Sequence, residues 1–485
     1  MHRTHFQRSS LTLSLLLAGA FAAGCGGSGS RSSSSTAGVS SGTPSSTTSG
    51  TTGTTTSGAT FFDPQGQVGS ITTATTTVQA TLATDAYIAF RELQSLSDFV
   101  IPEDPALTDK AFVVEDKGTL RILDLSGAAP ALDRAVDLFA APLPAGIATG
   151  RLKIQSANLG LVTTSGAGGE GVVVFNPLTA MGPTDVTWFD FSASTVQWPA
   201  GTLNNKGVDV GAQALMLSYT ADAVVSGGKL LLTASNLDAN FDYNPGAVVA
   251  YDFDPLTNTL SGGAFIQTSD FNPTALTRVM TPQGELVLVT NTGPYGGPDG
   301  SIDVVDPMTL TRLGTIGFPA GSSPTGNVVV SKDGKRAYLG SQSSAQVFVL
   351  DLDGLETSFG QLNADLSARF KGGFALGGTA ANHFVSSLAL SYSERYLYAV
   401  DLNESALYVI DLQEGTSAAT VEGFVRSGLR ANYEGLANKV VVRPGEPGVD
   451  FSGPSLFVMT TGLAVADRTL TDVTMALDTV TVDKH

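Results

Sequence analysis

One cysteine in 485 residues has no partner within the chain. An internal disulfide is excluded, as are a thiolate zinc site and a two-cysteine haem attachment. Histidine is nearly as scarce, with His2, His5, His383 and His485 making up the full set. The first two fall in an export leader and the last is the terminal residue, so a paired-histidine base or zinc site is excluded. A serine triad would have to rest on His383 alone, and His383 reads more simply as a surface or capping residue. Charged side chains are only 14% of the chain while glycine reaches 55 residues, which fits neither a charged helical protein nor an ordinary disordered one. The balance of 26 basic against 44 acidic residues gives a formal charge of −18. With no basic stripe in view, that balance argues against a nucleic-acid partner.

The charge is unevenly placed. Residues 1–62 hold Arg3, Arg8 and Arg31 and no acid, which leaves 23 basic against 44 acidic residues for the remainder, a net of −21. A basic start, an uncharged run over 11–23 and then small residues form the layout of a secretory signal peptide, expected over 1–24. The run is shorter than the roughly 20 apolar residues a spanning helix needs. It ends in Ala22-Ala23-Gly24-Cys25, which resembles the lipobox of bacterial lipoproteins. That resemblance implies lipidation of Cys25 as the mature N-terminus, and Gly26 in place of Asp implies the outer membrane. The segment 25–60 is then the lipidated cysteine and a tether, since 30 of the 35 residues over 26–60 are Ser, Thr or Gly. Such a coil spans roughly 30–35 Å and buries nothing.

From Phe61 onward there are many short β-rich runs bounded by Gly, Asn and Asp and no sustained helical period. The run 328–341 followed by 346–352 reads strand, Asp-Gly turn, strand, polar turn, strand closing in Asp351; 388–401 followed by 407–412 repeats it, closing in Asp411. With the turn residue as origin, copies start at Asp109, Asn158, Gly228, Gly284, Gly334, Glu394 and Gly453, about 57 residues apart on average. Each origin is followed at plus seven by a small polar residue: Asp116, Ser165, Ser235, Asn291, Ser341, Asp401 and Thr460. The spacing suits four strands per unit. The expectation is an all-β chain, a seven-bladed β-propeller of four-stranded antiparallel blades over 61–485, closed by part of 68–82 joining the strand near Val482. A string of β-sandwich domains is the competing reading. Leu288-Val289-Thr290-Asn291, Tyr338-Leu339-Gly340-Ser341 and Tyr398-Ala399-Val400-Asp401 resemble the YVTN repeat of surface propellers and lactonase-like propellers.

Chemistry must be argued from a site and not from a fold. Gly38-Val39-Ser40-Ser41-Gly42 matches a nucleophile elbow but lies in the tether. Gly166-Ala167-Gly168-Gly169-Glu170-Gly171 matches a dinucleotide fingerprint, yet a strand follows it where a helix is required, so it is a hairpin turn. Asp238, Asn240 and Asp242 alternate as calcium ligands do, but Tyr243 and Val249 stand where Gly and Glu belong. Calcium is therefore a minor expectation and no other cofactor is expected. The plus-seven residues should ring one face as a candidate binding surface, or serve as turn formers. The glycine-rich loop 293–300 offers Tyr295 and Asp299 for binding. Two functions follow. One is a monomeric, envelope-anchored, non-enzymatic binding or scaffold module for a protein or glycan partner. The other, implied by the family resemblance, is a lactonase-like hydrolase using acidic residues at the central channel, with or without a divalent cation.

Overall fold

A computed structural model describes residues 96–459, apart from 128–129, 142, 144–145, 167–168, 239, 295–299, 360–361, 377–382, 404–405, 413–419, 427–432, 447–449 and 451–455. Of the strands at 61–62, 69–72, 77–82, 88–90, 420–426, 433–437, 460–466 and 469–484 it describes the backbone alone. The expected leader, Cys25, the expected tether, Tyr295, Asp299 and the Thr460 side chain lie outside the described residues.

Six antiparallel sheets follow one plan, with four strands laid side by side in chain order from the centre outward, and only in blade 5 does another strand, Ala364–Asp365, come before the fourth. Blade 1 covers residues 96–137, blade 2 147–190, blade 3 223–267, blade 4 273–317, blade 5 324–375 and blade 6 385–426. Blades 4 and 6 each add a two-residue parallel strand at the outer edge, Ala364–Asp365 and Phe61–Phe62. The fold is an all-β propeller, with six blades of this kind where seven were expected. Besides a two-stranded hairpin between blades 2 and 3, there is one further sheet, of six strands. Tyr433–Val442, Leu456–Ala466 and Thr469–Lys484 are joined by Thr77–Leu82, Gly69–Thr72 and Ile88–Phe90. It departs from the blade plan because its last two strands are 11 and 16 residues long, leaving a backbone edge that the N-terminal strands pair with. The pairing of Ala80 with Val482 joins the two ends of the folded region, as expected from the sequence.

The second strand of every blade is buried because each of its faces meets a different neighbour. Strand residues alternate between faces. In Lys229–Ala234, Leu230 and Leu232 pack toward blade 2 while Leu231 packs toward blade 4. The same alternation continues around the ring. Phe112 and Ile122 of blade 1 meet Val162 and Val173 of blade 2, Leu288 and Ile302 of blade 4 meet Leu339 and Phe348 of blade 5, and Tyr338 of blade 5 meets Leu397 and Tyr408 of blade 6. The six-stranded sheet fills the last place, with Val458 on blade 6 and Phe457 on blade 1. Full burial of one such side chain favours folding by about 1.5–3 kcal/mol.

Of the six repeat origins within the described residues, 109, 158, 228, 334 and 394 fall between the first and second strands of a blade, and Gly284 opens the second strand of blade 4. Glu394 holds a left-handed φ of 56° there, and Gly334 one of 71°. The segment between blades 2 and 3 was not anticipated. Its hairpin, Thr195–Gln197 with Ala214–Met216, buries Val196, Trp198 and Leu217 against blades 2 and 3, and Trp198 meets Phe265 edge-on at 5.1 Å.

Candidate functional site

The first strands stand around the axis and hold one another through side chains that bond the backbone of the next blade. Gln155 of blade 2 makes both bonds to Val225 of blade 3, accepting its N–H at 2.6 Å and donating to its carbonyl at 3.0 Å. Thr277 accepts from Val328 of blade 5, and Ser387 of blade 6 accepts from Val440 of the closing sheet, both at 3.2 Å. Aspartates do the same at two places. Asp98 accepts from its own neighbour Phe99 at 2.9 Å, from Leu152 of blade 2 at 2.8 Å and from the Lys439 ammonium at 2.5 Å. Asp222 accepts from Ala223 at 2.9 Å, from Leu276 of blade 4 at 2.8 Å and from the Lys153 ammonium at 2.6 Å. Burial pushes both lysines below the ordinary lysine range, while each facing aspartate pulls the other way.

A cavity of about 590 Å³ opens among these strands. Its deeper walls include Ser97, Asp98, Arg151, Asn327, Ser386, Asn438 and Lys439. Its mouth, at the far end of the first strands, includes Glu103, Lys332, Tyr392, Glu394 and Pro444. There the Lys332 ammonium donates to the Tyr392 carbonyl at 2.6 Å and lies 3.9 Å from the centre of its ring, while the Lys332 N–H donates to Glu394 at 2.5 Å. Arg443 is buried beside the mouth and bonds Asp109 and the Leu125 carbonyl, the latter at 2.9 Å.

Because strands alternate in direction, the first-to-second and third-to-fourth turns share the face where the cavity opens. Three successive blades place the same sequence in the outer of those turns: Asn176-Pro177-Leu178-Thr179, Asp254-Pro255-Leu256-Thr257 and Asp306-Pro307-Met308-Thr309. In each, the Asn or Asp side chain accepts the N–H two residues on, at 2.9, 2.9 and 2.8 Å. The apolar third residue is thereby held outward, with Leu178 45%, Leu256 93% and Met308 71% exposed. Met280 and Leu362, 69% and 64% exposed, add to this face. The sequence carries the signal as a tetrapeptide recurring in blades 2, 3 and 4, which a search keyed to the inner turns passes over.

Six of the plus-seven residues, Asp116, Ser165, Ser235, Asn291, Ser341 and Asp401, lie at the opposite face, each within one residue of the end of its blade's second strand, whereas Thr460 falls inside Leu456–Ala466 of the six-stranded sheet and not at a strand end. Ser165, Ser235, Asn291, Ser341 and Asp401 are buried. Their side chains are taken up within the protein: Ser235 donates to Asn272, at the entry to blade 4, at 2.8 Å, Asn291 donates to Asp303 at 2.9 Å, and Ser341 accepts from the Ser343 N–H at 3.2 Å. His383 Nδ1 lies 2.7 Å from Asp401, which also accepts from Asn403 at 3.0 Å. Asp116 is part-buried and closest in charge to Lys117 at 3.5 Å.

Gly166 and Gly171 close a hairpin between two strands of blade 2. Glu170 within it is buried and accepts from Ser165 and Gly166 at 3.2 Å, Tyr219 at 2.9 Å and Thr220 at 2.7 Å. Burial pushes its carboxyl above the ordinary glutamate range. In the candidate calcium turn, Asp238 accepts from the Asn240 and Asp242 N–H groups at 2.7 and 2.9 Å, and Asp242 lies 3.7 Å from Lys206. Among the described residues no three His, Cys, Asp or Glu side chains gather as a metal site. No helix among them is long and apolar enough to cross a membrane.

No protein-family model matches the chain, and no curated protein matches it. Solved structures align over much of its length. The β-propeller domain of Myceliophteria thermophila Cps50 (Swd1) is 12% identical with a TM-score of 0.46, over 81% of this chain and 100% of that one. A putative 6-phosphogluconolactonase from Bacteroides fragilis is 13% identical with a TM-score of 0.43, over 80% and 94%. A protein from Lactobacillus plantarum is 15% identical with a TM-score of 0.47, over 74% and 94%. The propeller assignment itself rests on the sheet order and the packing between blades.

Proposed function

We propose that this chain is an exported lipoprotein, held to the outer membrane through Cys25, that acts as a non-enzymatic binding module for a protein partner. The observation that carries the reading is the row of Leu178, Leu256 and Met308, held outward by the same bonded turn in three adjacent blades. Large apolar side chains grouped on one exposed face mark a surface that another protein covers. Leucine and methionine favour a protein over a glycan, whose hydroxyl-rich surface calls for polar and aromatic contacts. A tether reaching roughly 30–35 Å lets the ring turn this face toward a neighbour on the membrane.

The test compares the wild-type chain with the triple variant Leu178→Ser, Leu256→Ser, Met308→Ser in cross-linking on intact cells. Loss of a defined cross-linked species, with an unchanged melting temperature, is expected. A wild-type pattern from the triple variant, or turnover of any member of a lactone panel with or without calcium, overturns the reading in favour of another face or of a lactonase-like hydrolase. Cys25→Ser should move the protein from the membrane fraction to the soluble fraction and abolish labelling by radioactive palmitate.

A further inference from the structure

The central cavity holds a charge arrangement that the proposed partner face does not use. Three cations, Arg151, Lys153 and Lys439, stand within electrostatic reach of one another on the first strands of blade 2 and the closing sheet. Two carboxylates answer them, and each is taken: Asp98 by Lys439 at 2.5 Å and Asp222 by Lys153 at 2.6 Å. Arg151 is left over. Its backbone N–H donates to Thr163 at 2.9 Å, but its guanidinium, with five N–H donors, bonds no described residue. It lines the cavity with Lys439, whose ammonium has further donors beyond the one given to Asp98. Blade 5 faces blade 2 across the ring, and there Asn327 lines the same space with its amide nitrogen bonded to no described residue.

A spare positive charge in a folded region of net −21 is not a consequence of composition. Cations brought together in a partly enclosed space repel one another, and the cost is offset when an anion enters. The guanidinium fork matches the two oxygens of a carboxylate or phosphate. The volume, about 590 Å³, lies in the range of small-molecule sites.

We propose that the central cavity binds a small organic anion, with Arg151 as its principal charge partner, Lys439 as a second cation and the Asn327 amide as a donor from the opposite wall. The shared recognition element is a carboxylate or phosphate group. This site is independent of the outer turns, so it stands or falls separately from the partner reading.

The experiment is calorimetric titration of the full folded chain with succinate and, in a second series, with inorganic phosphate, each at low and high sodium chloride. Saturable binding of at least one anion is expected, weakened several-fold at high salt. The Arg151→Gln variant should bind roughly tenfold or more weakly, the loss of a charge-assisted pair. Arg151→Lys should retain part of the affinity, because the charge survives without the fork. Succinate binding without phosphate binding identifies a carboxylate ligand, and the converse a phosphate. Absence of saturable binding by both anions overturns the proposal. So does wild-type affinity in a folded Arg151→Gln, and so does a folded Arg151→Lys that binds no better than Arg151→Gln. Should Arg151→Gln not fold, the wild-type titrations decide the matter, and a folded Arg151→Lys that binds as tightly as wild type overturns the proposal.

Discussion

The Lys153 ammonium lies 2.6 Å from the Asp222 carboxylate, 69 positions away in sequence, and the carboxylate is fully buried. Lys229 and Asp252 approach as closely, at 2.5 Å, but Asp252 is 61% exposed. The two pairs differ in solvent and hardly at all in geometry, so they separate burial from distance.

Lys153→Met removes the partner of a buried carboxylate and should cost about 3–5 kcal/mol. Lys229→Met breaks an exposed pair and should cost at most about 1 kcal/mol. Denaturant unfolding of both variants checks this, and equal losses would contradict the assignment of Asp222 to the buried side.

Stability should respond to alkali in a defined direction. Lys153 and Lys439 are held below their ordinary value in the folded chain, chiefly by burial. Between the depressed folded value and 10.5 the unfolded chain binds more protons, so the contribution of these groups to stability rises with pH across that window. It is complete above the unfolded value and lost as pH falls through the folded one. Melting curves of wild type against Lys439→Met from neutral pH upward should show the gap between them widening in favour of the wild type.

Glu170 works with the opposite sign. Its carboxyl is raised above 4.5, with burial the main cause, so its contribution is fully present below the unfolded value and declines as pH rises through the folded one. Glu170→Ala strips the acceptor from the buried Thr220 N–H and from the Tyr219 N–H, at about 1–3 kcal/mol for each buried donor left unbonded. The difference between wild type and variant should be larger in acid than at neutral pH, measured by chemical unfolding at both.

Gly340→Ala tests the seam between blades 5 and 6. A Cβ at this extended position would lie 2.0 Å from the Val385 carbonyl oxygen on the first strand of blade 6. Backbone on both sides must give, and a loss of about 1–3 kcal/mol is expected. Gly182→Ala, also at an extended φ of −175° but with nothing within 4 Å of the added Cβ, is the control and should cost little.

Much of the ring was legible because its punctuation is local. Gly334 and Glu394 sit in turns whose flanking strands are short and apolar, so a ruler seven and seventeen residues long reaches Ser341, Asp351, Asp401 and Asp411 without knowing the fold. The segment holding Val196, Trp198 and Leu217 was opaque, because its apolar residues follow no period and are buried only by blades 2 and 3 arriving from either side. The Lys153 to Asp222 and Lys439 to Asp98 pairs join residues 69 and 341 positions apart, a relationship that only the closed ring creates. The mean spacing of the origins suggested seven four-stranded units. The long strands after Gly453 and the threonine-rich strands at 69–82 instead combine into a sheet of another size.

The union of Thr77–Leu82 with the end of Thr469–Lys484 has a consequence for biogenesis. A chain cut before residue 469 retains all six blades but exposes Leu456–Ala466 as an open edge and strands the N-terminal hairpin without its partner. Closure of the ring between blades 6 and 1 is thereby made contingent on pairing between Thr77–Leu82 and Thr469–Lys484, a contact of long sequence separation whose loop-closure entropy is met late in folding.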